Sequence, residues 1–182
     1  MAYTKINWQD LPDTTTPINS TNLNHMDDGI YEANLKVDKS YLTARLTSNY
    51  TIQQTNTNEN VQPFELYNSV GSKFSVDSNG YIKIGAGVSK VLVSYKAAIE
   101  NGSTQSRTFT YLIHKSGNTT NVITQENVDW YANSKREFNV ASPLVLSVSE
   151  NDIIYLRVYG TAGQIVDGST NRMLTYITVQ EI

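Results

Sequence analysis

The residues of this 182-residue chain best suited to engaging a partner are Asp129-Trp130-Tyr131-Ala132-Asn133. Two adjacent aromatic side chains stand there beside short polar ones, in a stretch with weak strand character. Aromatic faces stack on sugar rings, while neighbouring Asp and Asn side chains take the hydroxyl hydrogen bonds. The same pattern suits a loop that Trp130 anchors in a hydrophobic core, and the sequence leaves both readings open. A second candidate surface is the loop from Thr161 to Arg172, where Asp167, Asn171 and Arg172 are polar and nearby glycines permit irregular backbone. Asp167 could also ligate calcium, although one carboxylate per chain is little to hold such an ion.

Catalytic constellations are harder to assemble. The two histidines, His25 and His114, fall at an exposed helical position and at the end of a strand pattern, with neither a cysteine nor a His-x3-His partner beside them. No Gly-x-Ser-x-Gly and no phosphate-cradling glycine loop occurs. Paired carboxylates for glycoside hydrolysis would have to come from Glu100, Glu126, Asp129, Asp152 and Asp167, and their separation across a cleft is not legible in sequence. The chain is therefore expected to bind rather than to catalyse, with no metal and no cofactor. The absence of cysteine excludes disulfides and thiolate chemistry. A formal net charge of −3 and a pI near 5.3 give no electrostatic reason to expect nucleic acid or an anionic membrane as partner. Neither a signal-peptide run nor eighteen consecutive apolar residues is present, so synthesis in the cytoplasm without membrane insertion is expected.

The elements that must position these residues are a helix and a β-rich head. Leu23, Met26, Ile30, Ala33 and Val37 recur at alternating steps of three and four, the spacing of a heptad seam. Asn19 suits the N-cap, and Glu32 with Lys36 forms an i,i+4 pair, which predicts a helix over 19–37. A helix of this length is marginal alone, and Gly29 costs it roughly 1 kcal/mol relative to alanine. Its seam therefore needs cover, from copies of itself in a coiled coil or from its own chain, and the regular spacing favours copies. Residues 1–18 form an extended arm with Ile6, Trp8 and Leu11 at its front and a proline-bounded polar run behind. Such an arm docks either on a second helical stripe, Tyr31 and Leu35, or in a socket on a larger particle.

After Val37 the heptad fails, and Leu42, Ala44 and Leu46 alternate with polar residues. We read 38–48 as a linker and 49–182 as the head. Strands are expected near 50–55, 62–68, 72–77, 80–84, 88–99, 107–115, 120–124, 135–140, 143–149, 153–159 and 172–180. Asn79-Gly80 sits between alternating strands as a two-residue hairpin turn would. Short strands separated by turn signals predict a sandwich or barrel.

Two resemblances follow from these stretches. The string Trp8-x8-Pro17-Ile-Asn-x2-Asn22-Leu-Asn-x-Met26-x2-Gly29-Ile30 resembles the N-terminal signature of tail, baseplate, neck-appendage and head-fibre proteins of phages that infect Gram-positive bacteria. Ile18 stands for the commoner leucine and Asp27 for the commoner glutamate. The resemblance covers about the first fifth of the chain and implies an oligomeric, virion-attached structural protein, with Ile6, Trp8 and Leu11 docking it to a phage virion protein. The second involves Phe74-x-Val76, Asn79-Gly-Tyr-Ile82, the long strand 88–99, Leu144-x-Leu146, Asp152-Ile-Ile-Tyr-Leu156 and Leu174-Thr-Tyr-Ile-Thr-Val179. This order is similar to the trimeric jelly roll of tumour-necrosis-factor and complement globular heads, although Asn151 stands where glycine is usual. Together they imply a homotrimeric phage fibre protein located in the virion, with a mainly β fold: a short coiled-coil helix followed by a jelly-roll β-sandwich head. Its head would adhere to a host cell-wall glycan or, alternatively, serve as a spacer without ligand.

Overall fold

The computed structural model describes residues 20–37, 39–53, 61–101, 106–131, 134–139, 143–171 and 173–182. The chain forms two compact units, Met1–Lys39 and Ser40–Ile182. In the first, α1 spans Ser20–Val37, the stretch that the heptad pattern marks. Met26 is 65% exposed and Ile30 51%, while Asp27 beside them is buried. The arm residues Ile6, Trp8 and Leu11 lie outside the described residues.

In the second unit the described residues form thirteen strands: β1 (Tyr41–Arg45), β2 (Tyr50–Thr51), β3 (Glu65–Val70), β4 (Phe74–Val76), β5 (Ile82–Ile84), β6 (Lys90–Glu100), β7 (Ser106–Ser116), β8 (Thr119–Trp130), β9 (Lys135–Asn139), β10 (Leu144–Ser147), β11 (Ile153–Tyr159), β12 (Ile165–Val166) and β13 (Tyr176–Glu181). Two antiparallel sheets result. One runs β2-β12-β6-β13-β1-β3, with β9 and β10 also pairing the long β6, and the other runs β4-β5-β11-β7-β8. Alternation along each strand sends one set of side chains between the sheets. Leu42, Val93, Ile99, Leu112, Leu156 and Ile177 are fully buried there. At about 25 cal/mol per Å² of apolar surface removed from water, this layer is the main source of the fold's stability. Tyr95 of β6 spans the core to Thr110 of β7, hydroxyl to hydroxyl at 3.1 Å, and burial pushes its phenol up to about 12. The fold is a mainly β jelly-roll sandwich.

Four sequence expectations need correction. The proposed linker 38–48 contains β1, whose Leu42 and Ala44 are buried as it pairs with β13 on one side and β3 on the other. Its alternation is that of a central strand, and the head begins at Ser40 rather than near Asn49. An edge strand of the second sheet, β8, is twelve residues long rather than five, so Asp129 and Trp130 lie on a strand rather than a loop. Its sequence is polar because its outer side is exposed, and hydropathy alone undercounts such a strand. A two-residue strand, β12, pairs with β2 and β6 inside the expected loop Thr161 to Arg172. Finally, Asn79-Gly80 is not the two-residue turn: that turn needs positive φ at both positions, and Gly80 has φ 80° whereas Asn79 is not in that region. Asp77 selects a different turn, its Oδ1 accepting from the backbone N–H of Asn79 at 2.8 Å and of Tyr81 at 3.0 Å. Gly80 N–H donates to the Asp77 carbonyl at 3.0 Å, closing a three-residue loop with glycine in the left-handed position.

The turn before β11 uses the same device with a different residue. Asn151, at the glycine position of the resemblance, has φ 69°, and asparagine tolerates this region better than other non-glycine residues. Asp152 follows it, buried with His114, whose Nε2 lies 2.8 Å from its Oδ2. The backbone N–H of Ser149 donates to the same oxygen at 2.9 Å. Burial opposes the charge on Asp152, but hydrogen bonds from Ser116, Ser149 and His114 outweigh it and hold the carboxyl below its usual 3.8.

Two measurements check these points. A Cβ on Gly80 would stand 2.4 Å from the Phe64 backbone nitrogen and 2.6 Å from the Gln62 carbonyl oxygen. Gly80→Ala should therefore lower the unfolding free energy by about 2 kcal/mol or more, read from the urea midpoint, since left-handed strain alone costs about 1–2 kcal/mol. Because the folded-state pKa of Asp152 is depressed, its stabilisation is present above the unfolded value and is lost as pH falls through the folded one. Asp152→Asn should cost about 1–3 kcal/mol at neutral pH. The gap to the native chain should narrow below about pH 4, in a pH series of urea melts.

Candidate functional site

The candidate residues converge only in part. At one end of the sandwich a buried polar network joins the two sheets. Gln164 Oε1 accepts from Thr108 Oγ1 at 2.9 Å and from the Thr161 N–H at 2.9 Å, while its Nε2 donates to Asn101 Oδ1 at 3.0 Å. Asn101 Nδ2 in turn donates to the Tyr131 carbonyl at 3.0 Å, and the Asn101 N–H to the Ser134 carbonyl at 2.8 Å. Buried amides carry their full value only when every donor and acceptor is met, and this chain meets them by tying down the strand ends. The backbone of the aromatic stretch is thus held from below, and the Tyr131 ring stands 72% exposed.

Asp129 points the same way as the outer residues of β7. Its carboxylate takes a two-pronged ion pair from Arg107 at 2.6 and 3.1 Å, in register with it across the β7–β8 ladder. This pairing holds the Asp129 carboxyl below its ordinary value. Trp130 is in register with Ser106, and its side chain, with Asn133 and Arg172, lies outside the described residues. Asp167 is not a free loop carboxylate: it is buried at the end of β12 and ion-paired with Lys135, which that contact holds protonated to higher pH. A calcium role for Asp167 therefore loses its ligand. Among the described residues, no group of three His, Asp or Glu side chains converges as a metal ion would require. Among them, too, no helix is long and apolar enough to cross a membrane.

Sequence reasoning missed the most concentrated aromatic surface. Phe109 and Tyr111 of β7 and Tyr159 of β11 leave the second sheet on its outer side, with ring centroids 5.9 to 6.4 Å apart. Arg157 lies over Tyr111, its guanidinium carbon 5.3 Å from the ring centroid. The register sets Tyr111 beside Arg157 on one strand and Gln125 on the other, and Phe109 beside Tyr159 and Asn127. Alternation in Phe109-Thr-Tyr111 and Tyr155-Leu-Arg157-Val-Tyr159 was visible in the chain. That the two runs share a face was not.

A smaller layer at the other end of the same side supports this surface. Ile113 and Tyr155 are buried but stand outside the central core, and Tyr155 packs against Tyr81 with centroids 4.7 Å apart. Burial raises the Tyr155 phenol. The rings therefore project from a two-sided, well-packed strand pair rather than from a loop. Separately, Pro63 to Leu66 and Val76 to Ser78 line a cleft of about 360 Å³ beside β3, open to solvent.

No family model and no curated protein matches the sequence. Solved structures do match the shape. Murine APRIL at pH 8.0 aligns with a TM-score of 0.59 at 10% identity, over 79% of this chain and 99% of its own. Eiger, a tumour-necrosis-factor protein of S. frugiperda, aligns at 0.59 and 9% identity, over 80% of this chain and 93% of its own. At such identities the likeness is one of fold, and the fold this chain shares with them is the tumour-necrosis-factor-like jelly roll.

Proposed function

We propose that the chain is a homotrimeric fibre protein of a bacteriophage virion, of the tail, baseplate or head, whose C-terminal head adheres to the host cell surface. The observation that carries this reading is the helix seam. Met26 and Ile30, in heptad register with Leu23, remain mostly exposed in the single chain, whereas Asp27 beside them is covered. An apolar stripe in this register finds its cover in copies of the same helix. Three is the number implied by the two resemblances together, the Trp8 to Ile30 signature giving an oligomer and the jelly-roll head a trimer.

The head offers matching surface. Every residue of the edge strand β3 is exposed, including Leu66, Tyr67 and Val70. A strand with an unpaired ladder and apolar residues on both sides invites pairing unless an assembly covers it. In this proposal β3 and the open side of its sheet are covered in the trimer, and the arm, through Ile6, Trp8 and Leu11, docks into a virion protein.

Light scattering on the full chain tests the assembly: the expected mass is three times the 20.3 kDa protomer. Ile30→Asp places a charge in the seam, where an unpaired buried charge is strongly unfavourable, and should shift the protein towards monomer. A monomeric native chain, or a trimer indifferent to Ile30→Asp, would show that the helix is no seam. Removal of residues 1–18 should leave the trimer intact and abolish its incorporation into particles in a complementation assay. Normal incorporation would remove the docking role of the arm.

A further inference from the structure

An acidic chain here carries a basic face. Strand alternation sends Lys83 of β5, Lys115 and Arg107 of β7, and Arg157 of β11 out of the five-stranded sheet on the side of Phe109, Tyr111 and Tyr159. The outward acid on these strands and on β8, among the described residues, is Asp129 alone, and Arg107 already neutralises it. Among the described residues Arg157 has no carboxylate against it: its contact there is the Tyr111 ring, and its Nε is enclosed without a hydrogen-bond partner. A half-buried guanidinium in that position holds a charge and a donor that the described residues leave unmet, which is a cost unless a partner answers it.

The neighbours define that ligand. Three partly exposed rings lie there, Tyr111 with Arg157 over one face, and beside them the exposed side chains of Gln125 and Asn127 offer both donors and acceptors. Four residues further along β11, Ile153 lies in register between Lys83 and Lys115. Arg157 and the lysine pair are thus about 13 Å apart at ~3.3 Å per residue, a span longer than one sugar ring.

We infer that this outer face is the binding surface for a saccharide chain bearing carboxylates, of the uronic-acid class. The C–H faces of its sugars stack on Phe109, Tyr111 and Tyr159, and their hydroxyls bond Gln125 and Asn127. One carboxylate meets the outer edge of the Arg157 guanidinium, whose planar fork matches two oxygens, and carboxylates further along meet Lys83 and Lys115. This deepens the adhesion reading and rests on it for its biological use, but not for its chemistry.

The test is titration of the full-length protein by calorimetry with a short oligogalacturonate and with a neutral galactose oligosaccharide of the same length. The acidic probe should bind at least about tenfold more tightly than the neutral one, because its carboxylates add charge-assisted hydrogen bonds. Arg157→Gln should lower the affinity for the acidic probe by about tenfold or more, and Arg157→Lys should restore only part of it. Asn127→Glu, at an exposed site where folding is indifferent, should weaken the acidic probe several-fold more than the neutral one, whose hydroxyl contact at this position it also alters. An unchanged melting temperature establishes that each variant is folded.

Equal affinities for the two probes, no binding of either, or an acidic-probe affinity unaffected by Arg157→Gln and Asn127→Glu would each overturn the assignment. Selective binding of a sugar phosphate, or capture of a protein alone, would overturn it as well. Adsorption to a panel of Gram-positive cells separates this from the adhesion reading. Cell binding that survives both substitutions would leave adhesion standing and remove this face from it. Oligogalacturonate binding without adsorption to any cell would do the reverse.

Discussion

The structure depends on one strand pairing, that of the last strand between the first strand and the long β6. β13 lies between β1 and β6, with Val179 in register with Leu42 on one side and with Val93 on the other. The centre of the larger sheet is therefore built from the two ends of the head sequence, separated by more than a hundred residues. Polar contacts lock the same closure. Glu181, buried near the C-terminus, accepts from the Ser40 N–H at 3.1 Å and from Lys73 Nζ at 2.8 Å. No stable core exists until these distant strands meet, so loop-closure entropy is spent before the apolar layer repays it. The exposed head strands, and β3 above all, are in this sense what remains after the closure is made.

Closing the sandwich in this way separates its surfaces by chemistry. The inner sides carry the aliphatic layer, with Tyr95 and Thr110 bonded across it. The outer side of the second sheet is then free to carry rings and cations, held on long strands rather than on loops. The β7–β8–β11 arrangement is the most extensively paired part of that sheet, and β8 contains a bulge where Leu112 and Ile113 meet Thr124 and Val122. That bulge turns Ile123 towards the core and leaves Val122 exposed, so the polar edge beyond it keeps its outward alternation.

How much of this was legible differs from element to element, for identifiable reasons. The helix was legible because the three-and-four spacing of its apolar residues is a local property. The head's β character and jelly-roll order were legible because alternation and turn residues recur along the chain. Boundaries failed where local signals compete. Thr43 and Arg45 made β1 look like a polar joint, although a strand in mid-sheet shows the same alternation. The many polar residues of Gln125-Glu-Asn-Val-Asp129 hid the second half of β8, whose outer side faces water. Asn79-Gly80 suggested the shortest turn, and the Asp77 carboxylate decided for a longer one. The binding candidates fared similarly: Asp129 and Tyr131 are exposed, but Asp167 is consumed by Lys135, a partner thirty-two positions away in the chain.

The sequence by itself determined the periodicities, and with them a helix with an apolar stripe, a β-rich head and the residue types able to stack and turn, because each depends on neighbours within a few positions. Tertiary structure alone decided which strands lie side by side. Register between β7, β8 and β11 placed Phe109, Tyr111, Tyr159 and Arg157 together and paired Arg107 with Asp129. Such juxtapositions arise from long-range ladders, whose energy is spread over the whole sandwich and is written in no single stretch of the chain.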